Sequence, residues 1–119
     1  MNNAFVKWLQ TLCERVADME ARGRALVESG DAEGYRTLMR EKAELLAGLD
    51  REGRAHLAAL PAPLRERAGA RLRGFSASAK NALSLDSVFY MSALLYPDEH
   101  VPGEPNNLEL FRDEVNAAL

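Results

Sequence analysis

The sequence is poor in the residues that carry chemistry. Among its 119 residues are one cysteine, two histidines and one tryptophan, and only 7% are aromatic. A lone cysteine, Cys13, excludes an intrachain disulfide and fits a reducing compartment. Its neighbours Leu9, Leu12 and Val16 place it as a small apolar residue, not as a reactive thiol. The histidines, His56 and His100, stand far apart with no second His or Cys at ligand spacing, so zinc or iron would lack donors. No stretch approaches the ~18 apolar residues of a membrane span. Lys7, Glu14 and Arg15 interrupt any apolar segment that could act as a secretory signal. The expectation is a cytoplasmic protein with no cofactor and no membrane partner.

Catalytic groupings are missing in the same way. Glu41 and Glu44 sit among Arg40 and Lys42, as solvated helix charge does. Gly69 and Gly74 lack the following Lys-Ser/Thr of a phosphate loop. Ser76, Ser78, Ser84 and Ser87 have no visible His–Asp partners, and no inward Glu-x-x-His motif is present. An enzyme is not expected. Fifteen basic against eighteen acidic residues give a net charge of −3, which argues against a general nucleic-acid binder. The densest basic run, Arg65, Arg67, Arg71 and Arg73, spirals around a helix and is diluted by Glu66. It reads as a solvated surface, with a nucleic-acid-linked regulator as the weaker alternative.

What the chain does have is helical periodicity. Apolar positions run Phe5, Leu9, Leu12, Val16, Met19, then Gly23 and Leu26, with the four-and-three spacing of one seam. The pattern resumes as Tyr35, Leu38, Lys42, Leu45, Leu49. A stripe this narrow must be buried by another helix. Asn2 and Asn3 are natural caps for a first helix reaching about Ser29. Gly30 then stops it and Asp31 caps the next, which forces an antiparallel hairpin. Gly23 on the seam implies either a close helix approach or a bend.

A second helix is expected over about Ala32 to Ala59, weakened by Gly48 and Gly53, and ended by Pro61-Ala62-Pro63. A third is expected from about Leu64 to Leu95, stopped by Tyr96-Pro97. The core should include Leu9, Leu12, Val16, Leu38, Leu45, Leu49, Leu72 and Phe75. Residues 98–105 are too rich in Pro, Gly and charge for regular structure and read as a mobile linker. Asn106 or Asn107 then caps a short amphipathic helix with Leu108, Phe111, Val115 and Leu119 on one face. The fold class is therefore all-α: an antiparallel bundle of three long helices over 1–96, followed over 97–119 by a Pro-rich linker and a short C-terminal helix.

Function hangs on one stretch. Eight of the eleven residues from Leu85 to Leu95 are apolar or aromatic, so nearly the whole circumference needs cover. The tail, a second copy of the chain or another protein could supply it. The expectation is that the C-terminal helix docks there, bringing Leu108, Phe111 and Val115 onto Val88, Phe89, Met91 and Leu95. These seven residues are the candidate partner-binding set.

One segment also resembles a known family. Leu38-Met39-Arg40-Glu41-Lys42-Ala43-Glu44-Leu45-Leu46-Ala47-Gly48-Leu49 is similar to the second-helix pattern of flagellar export chaperones of the FlgN/FliT type. Ala79-Lys80-Asn81-Ala82, in a long third helix, is compatible, and the resemblance spans about residues 5–95. The Pro-rich break after Tyr96 and the apolar stretch from Leu85 to Leu95 depart from the family pattern. The resemblance implies a cytosolic chaperone that holds an export substrate through its C-terminal helical region, here by position Leu108, Phe111 and Val115. The alternative is a self-associating structural or adaptor bundle, a homodimer joined at the end of the third helix. On this reading Leu45→Ala should cost roughly 2–5 kcal/mol in a denaturant titration.

Overall fold

Asn3 begins the first helix by accepting hydrogen bonds from the amides of Phe5 (2.9 Å) and Val6 (3.4 Å). The computed structural model describes residues 3–119, so the alternative cap at Asn2 lies outside the described residues. Helix α1 spans Ala4–Glu28, α2 Ala32–Ala47, α3 Leu49–Gly53, α4 Ala62–Ser84, α5 Val88–Ala93 and α6 Asn107–Ala118. A 3-10 turn, His56–Ala59, links α3 to α4. Among the described residues there is no strand.

The α1–α2 junction is built as its sequence implies. Gly30 takes φ 80°, a left-handed conformation that costs a glycine nothing. The amide of Gly30 bonds Val27 O and that of Asp31 bonds Leu26 O, the paired bonds of a Schellman stop. Asp31 then caps α2 by accepting from the Gly34 amide at 2.8 Å. Gly23 is buried because α2 comes close: a Cβ there would lie 3.1 Å from Met39 Cε.

The second and third long helices are shorter than the sequence suggested. α2 ends at Ala47 and the chain to Leu60 continues as α3 and the 3-10 turn, a break at the glycines that had signalled weakness. The other break comes after Ser84. Leu85 caps α4, Asp86 has φ 51°, and the amides of Asp86 and Ser87 return to Leu83 O and Ala82 O. This is the hairpin's stop again, with Asp in glycine's place; Asp tolerates the left-handed region better than most side chains. Ser87 then caps α5 by accepting from the Tyr90 amide at 3.1 Å.

α2 lies between α1 and α4, whose own backbones scarcely approach each other. The open side of that layer is a cleft between α1 and α4, and the chain beyond Ser84 fills it. α6 takes one end, packing on α1 and α4. α5 packs instead on α2 and α4. The expected site of the tail helix therefore needs correction: it does not cover Val88, Phe89 and Met91. Phe111 instead meets Phe5 edge-on (centroids 6.1 Å apart, planes at 80°) and lies 5.7 Å from Phe75. The reason is apolar area. α1 offers Phe5, Leu9, Leu12 and Val16, all buried in the finished structure, whereas Met91 is already covered by α2 and α4.

Asn106 and Glu109 form a reciprocal capping box at the start of α6 (2.9 Å each way), which offsets the marginal stability of so short a helix. Residues 97–104 form hydrogen-bonded turns: His100 N to Pro97 O (3.0 Å), Glu104 N to Val101 O (3.1 Å) and Val101 N to Glu104 Oε1 (3.2 Å).

Of the expected core, Leu9, Leu12, Val16, Leu38, Leu49 and Leu72 are buried, while Leu45 and Phe75 are half-buried. Leu46 takes the deeper place, because α2 also faces α4 and its buried stripe shifts toward Met39, Ala43 and Leu46. Leu46→Ala should therefore cost roughly 2–5 kcal/mol, with Leu45→Ala costing less, read from urea midpoints. Gly53 lies in the tightest gap, where a Cβ would stand 2.5 Å from Leu72 Cδ1 and 2.7 Å from Trp8 Cη2. Gly53→Ala should cost about 1–3 kcal/mol by overpacking and perturb the fluorescence of Trp8, which stacks on His56 at 4.8 Å.

Candidate protein-binding surface

The seven residues singled out from the sequence fall into two groups. Leu108, Phe111 and Val115 are buried in the main core cluster, and Leu95 joins them there. Met91 is buried in a second, smaller cluster with Leu38, Met39, Ala43 and Ala82. Only Val88, half-buried, and Phe89, 71% exposed, reach the surface. Of the two faces that the sequence suggested would meet, the structure brings the tail helix together with Leu95 and separates it from Val88, Phe89 and Met91.

Part of the accessible apolar surface gathers at α5, while Val101, Leu110 and Leu119 are exposed elsewhere. Phe89 and Tyr90 form an edge-to-face pair, centroids 5.4 Å apart, and both point outward. Leu85 is exposed just before α5, and Val27 is exposed at the hairpin tip. Beside them run two grooves that share Val27 and Tyr35 as lining. One, of about 410 Å³, is closed by Ala32, Arg36 and Val88. The other, of about 380 Å³, is walled by Met39, Glu20, Ser92 and Tyr96. Val27, Tyr35, Leu85 and Tyr90 were not in the sequence-derived set. Tyr90 stood within the apolar stretch, but nothing in the chain places the hairpin tip next to α5.

What holds this surface in shape is polar. Lys42 has no exposed surface, and its Nζ donates to Glu20 Oε2 and to the carbonyl of Ser92, both at 3.1 Å. Tyr96 Oη donates to Glu20 Oε1 at 2.5 Å, and its ring centroid lies 5.4 Å from the Lys42 ammonium. One buried cluster thereby ties α1, α2 and the chain around α5 together. Burial pulls the Lys42 pKa below the ordinary lysine range, and the Glu20 carboxylate opposes that pull. Burial and the bond to Glu20 push the Tyr96 phenol well above its usual range. Arg40 on α2 pairs with Asp86 at the other end of the segment.

The arginine run is partly spent inside the fold. Arg65 donates to Leu60 O at 2.9 Å, and Arg71 pairs with Glu114 at 2.8 Å while lying 5.0 Å from the Phe111 ring centroid. Among the described residues no group of three His, Cys, Asp or Glu side chains converges on a point. Comparison with protein-family models, with curated proteins and with solved structures gives no match for this chain. Among the described residues no helix is long and apolar enough to cross a membrane.

Cys13 faces α6, and burial is the main cause that pushes its thiol up to about 11, with Arg112 opposing. The folded chain therefore keeps a proton that the unfolded chain releases near pH 9. That contribution to stability is fully present below pH 9 and is lost as pH rises through about 11. Cys13→Ala should unfold with a shallower alkaline decline. In the parent chain, a thiol reagent at pH 8 should label Cys13 only as fast as the protein opens.

Proposed function

We propose that this chain is a non-catalytic helical protein-binding module that works in the cytoplasm and receives its partner on the α5 surface. The observation that supports it most strongly is the Phe89–Tyr90 pair: two aromatic side chains held outward, beside apolar grooves, on a short helix fixed from beneath by Met91 and Lys42. Aromatic anchors of this kind carry much of the energy of protein interfaces. The FlgN/FliT resemblance of residues 38–49 suggests that the partner is an export substrate and the chain a flagellar-type secretion chaperone. Relative to that family's mode, contact moves from the C-terminal helix to α5, because Leu108, Phe111 and Val115 are already buried by α1 and α4.

The same surface also suits the second reading, a self-associating adaptor. Val88, the residue before exposed Phe89, lines a groove with Val27 and Tyr35 into which a second copy could place its own Phe89. Both readings take α1, α2 and α4 as an antiparallel three-helix bundle. The pairings Glu20–Lys42 and Gly23–Met39 between α1 and α2 fit it, as do Leu46–Ser76 and Arg40–Asp86 between α2 and α4. Neither reading uses nucleic acid, a membrane or a cofactor.

Phe89→Asp should leave folding stability within about 0.5 kcal/mol, since the residue is exposed, yet abolish partner engagement. A photo-crosslinking residue at position 89 should give a discrete adduct in cells, and one at exposed Glu66 should not. Equal labelling at both positions, or none at 89, would rule the surface out. Sedimentation separates the two readings. A monomer favours a client-binding chaperone, and a dimer dissociated by Phe89→Asp favours the adaptor.

A further inference from the structure

We propose that α5 is a strap: it occupies its place between α2 and α4 as an internal ligand, and it swings out about Asp86 and Leu95 to yield that place to a short partner helix of the same chemistry. The inference goes beyond the binding reading, since it concerns the face beneath α5 and not the outward Phe89–Tyr90 face.

The first observation is the position of the hinges. Among the described residues, the only non-glycine residues with positive φ are Asp86 (51°) and Leu95 (79°). They bracket α5, one before it and one after it. At the far end, Leu94 has φ −56° and ψ 136°, and the amide of Tyr96 returns to Ala93 O at 3.0 Å. This is a type II turn that puts Leu where glycine is preferred. Backbone held in a disfavoured region persists only while its surroundings over-determine it. The buried Leu95 side chain supplies that constraint, and both dihedrals relax when the segment leaves.

The second observation is how little anchors the segment between the hinges. A helix of six residues does not stand alone in water. Only Met91 is fully buried, while Phe89 and Tyr90 face outward. Two polar ties hold it: the exposed pair of Arg40 with Asp86 at the first hinge, and the bond from Lys42 to the Ser92 carbonyl, at the end of α5 where helix carbonyls lack partners of their own.

These contacts also define the replacement. Beneath α5 lies the apolar face of Leu38, Met39, Ala43 and Ala82, with Lys42 at its edge. Lys42 retains Glu20 when the strap lifts, but loses a carbonyl acceptor from a site with little water. An incoming helical turn that carries a Met- or Leu-sized anchor and ends in free carbonyls meets both needs, as residues 88–93 do now.

Hydrogen exchange on the full chain tests this without any partner. The amides of Met91, Leu94 and Tyr96 should exchange about tenfold or more faster than those in mid-α1 and mid-α4. Lys42→Met should accelerate the α5 amides by about a further tenfold or more, with α5 still exchanging ahead of α1 and α4, whose amides follow the lowered global stability. Met91→Ala provides a second weakened strap with Lys42 intact, should the first variant misfold. A synthetic peptide of residues 86–96, added in trans, should bind Met91→Ala about tenfold more tightly than it binds the parent chain. Exchange of α5 only together with the whole fold, in the parent and in both variants, would overturn the proposal. So would peptide binding that is no tighter in Met91→Ala. A failed crosslink at Phe89 would instead remove the binding reading and leave the strap standing.

Discussion

A lysine with no exposed surface sits in the middle of the helix that joins the two halves of this fold, and its charge must be answered from both sides. Glu20 on α1 supplies the carboxylate, and the chain after Ser84 returns to supply a carbonyl from Ser92 and a phenol from Tyr96. Removing one member of a buried ion pair typically costs about 3–5 kcal/mol, because the remaining charge is stranded. The path of α5 follows from that need. So does the groove wall it forms with Glu20, Ser92 and Tyr96.

The two helices after Ser84 differ in anchorage. α6 brings three buried apolar residues, a capping box, and the ties Arg71–Glu114 and Arg112–Gln10. α5 brings one fully buried side chain and one buried charged lock. Local opening follows such differences in buried contact, so α5 is expected to open more readily than α6. The proposed binding surface lies at the more weakly anchored end, as loops and lids are drawn from the less stable parts of a fold.

Helical class, the first hairpin and the last helix were legible because their signals are local. Gly30-Asp31 is a stop followed by a cap, and Asn106 is a cap placed directly before an amphipathic run. The break at Ser84 was hidden because Asp86 takes the position where glycine would announce a turn. The turn at Leu95 was hidden for the same reason, in a residue that ordinarily avoids it. Lys42 could be seen on the apolar seam, but its partner Glu20 lies 22 residues away and reads as one more exposed acid. Where the tail docks was not legible at all. That choice compares the apolar area left bare on α1 with that left bare around Met91, a quantity set by the packing of the whole chain. Of the candidate site, the apolar stretch carrying Val88 and Phe89 could be seen in the sequence, whereas the neighbouring Val27 and Tyr35 could not.

The central claim is that Lys42 and Glu20 act as one buried unit that carries the α5 platform. A double-mutant cycle measures this directly, with Lys42→Met, Glu20→Gln and the double variant compared by chemical denaturation. The account predicts strong coupling, with each single variant losing more than the pair together and a coupling energy of about 1–3 kcal/mol. Additive losses, with coupling within about 0.3–0.5 kcal/mol of zero, would contradict it and leave α5 held by Met91 and the exposed Arg40–Asp86 pair alone.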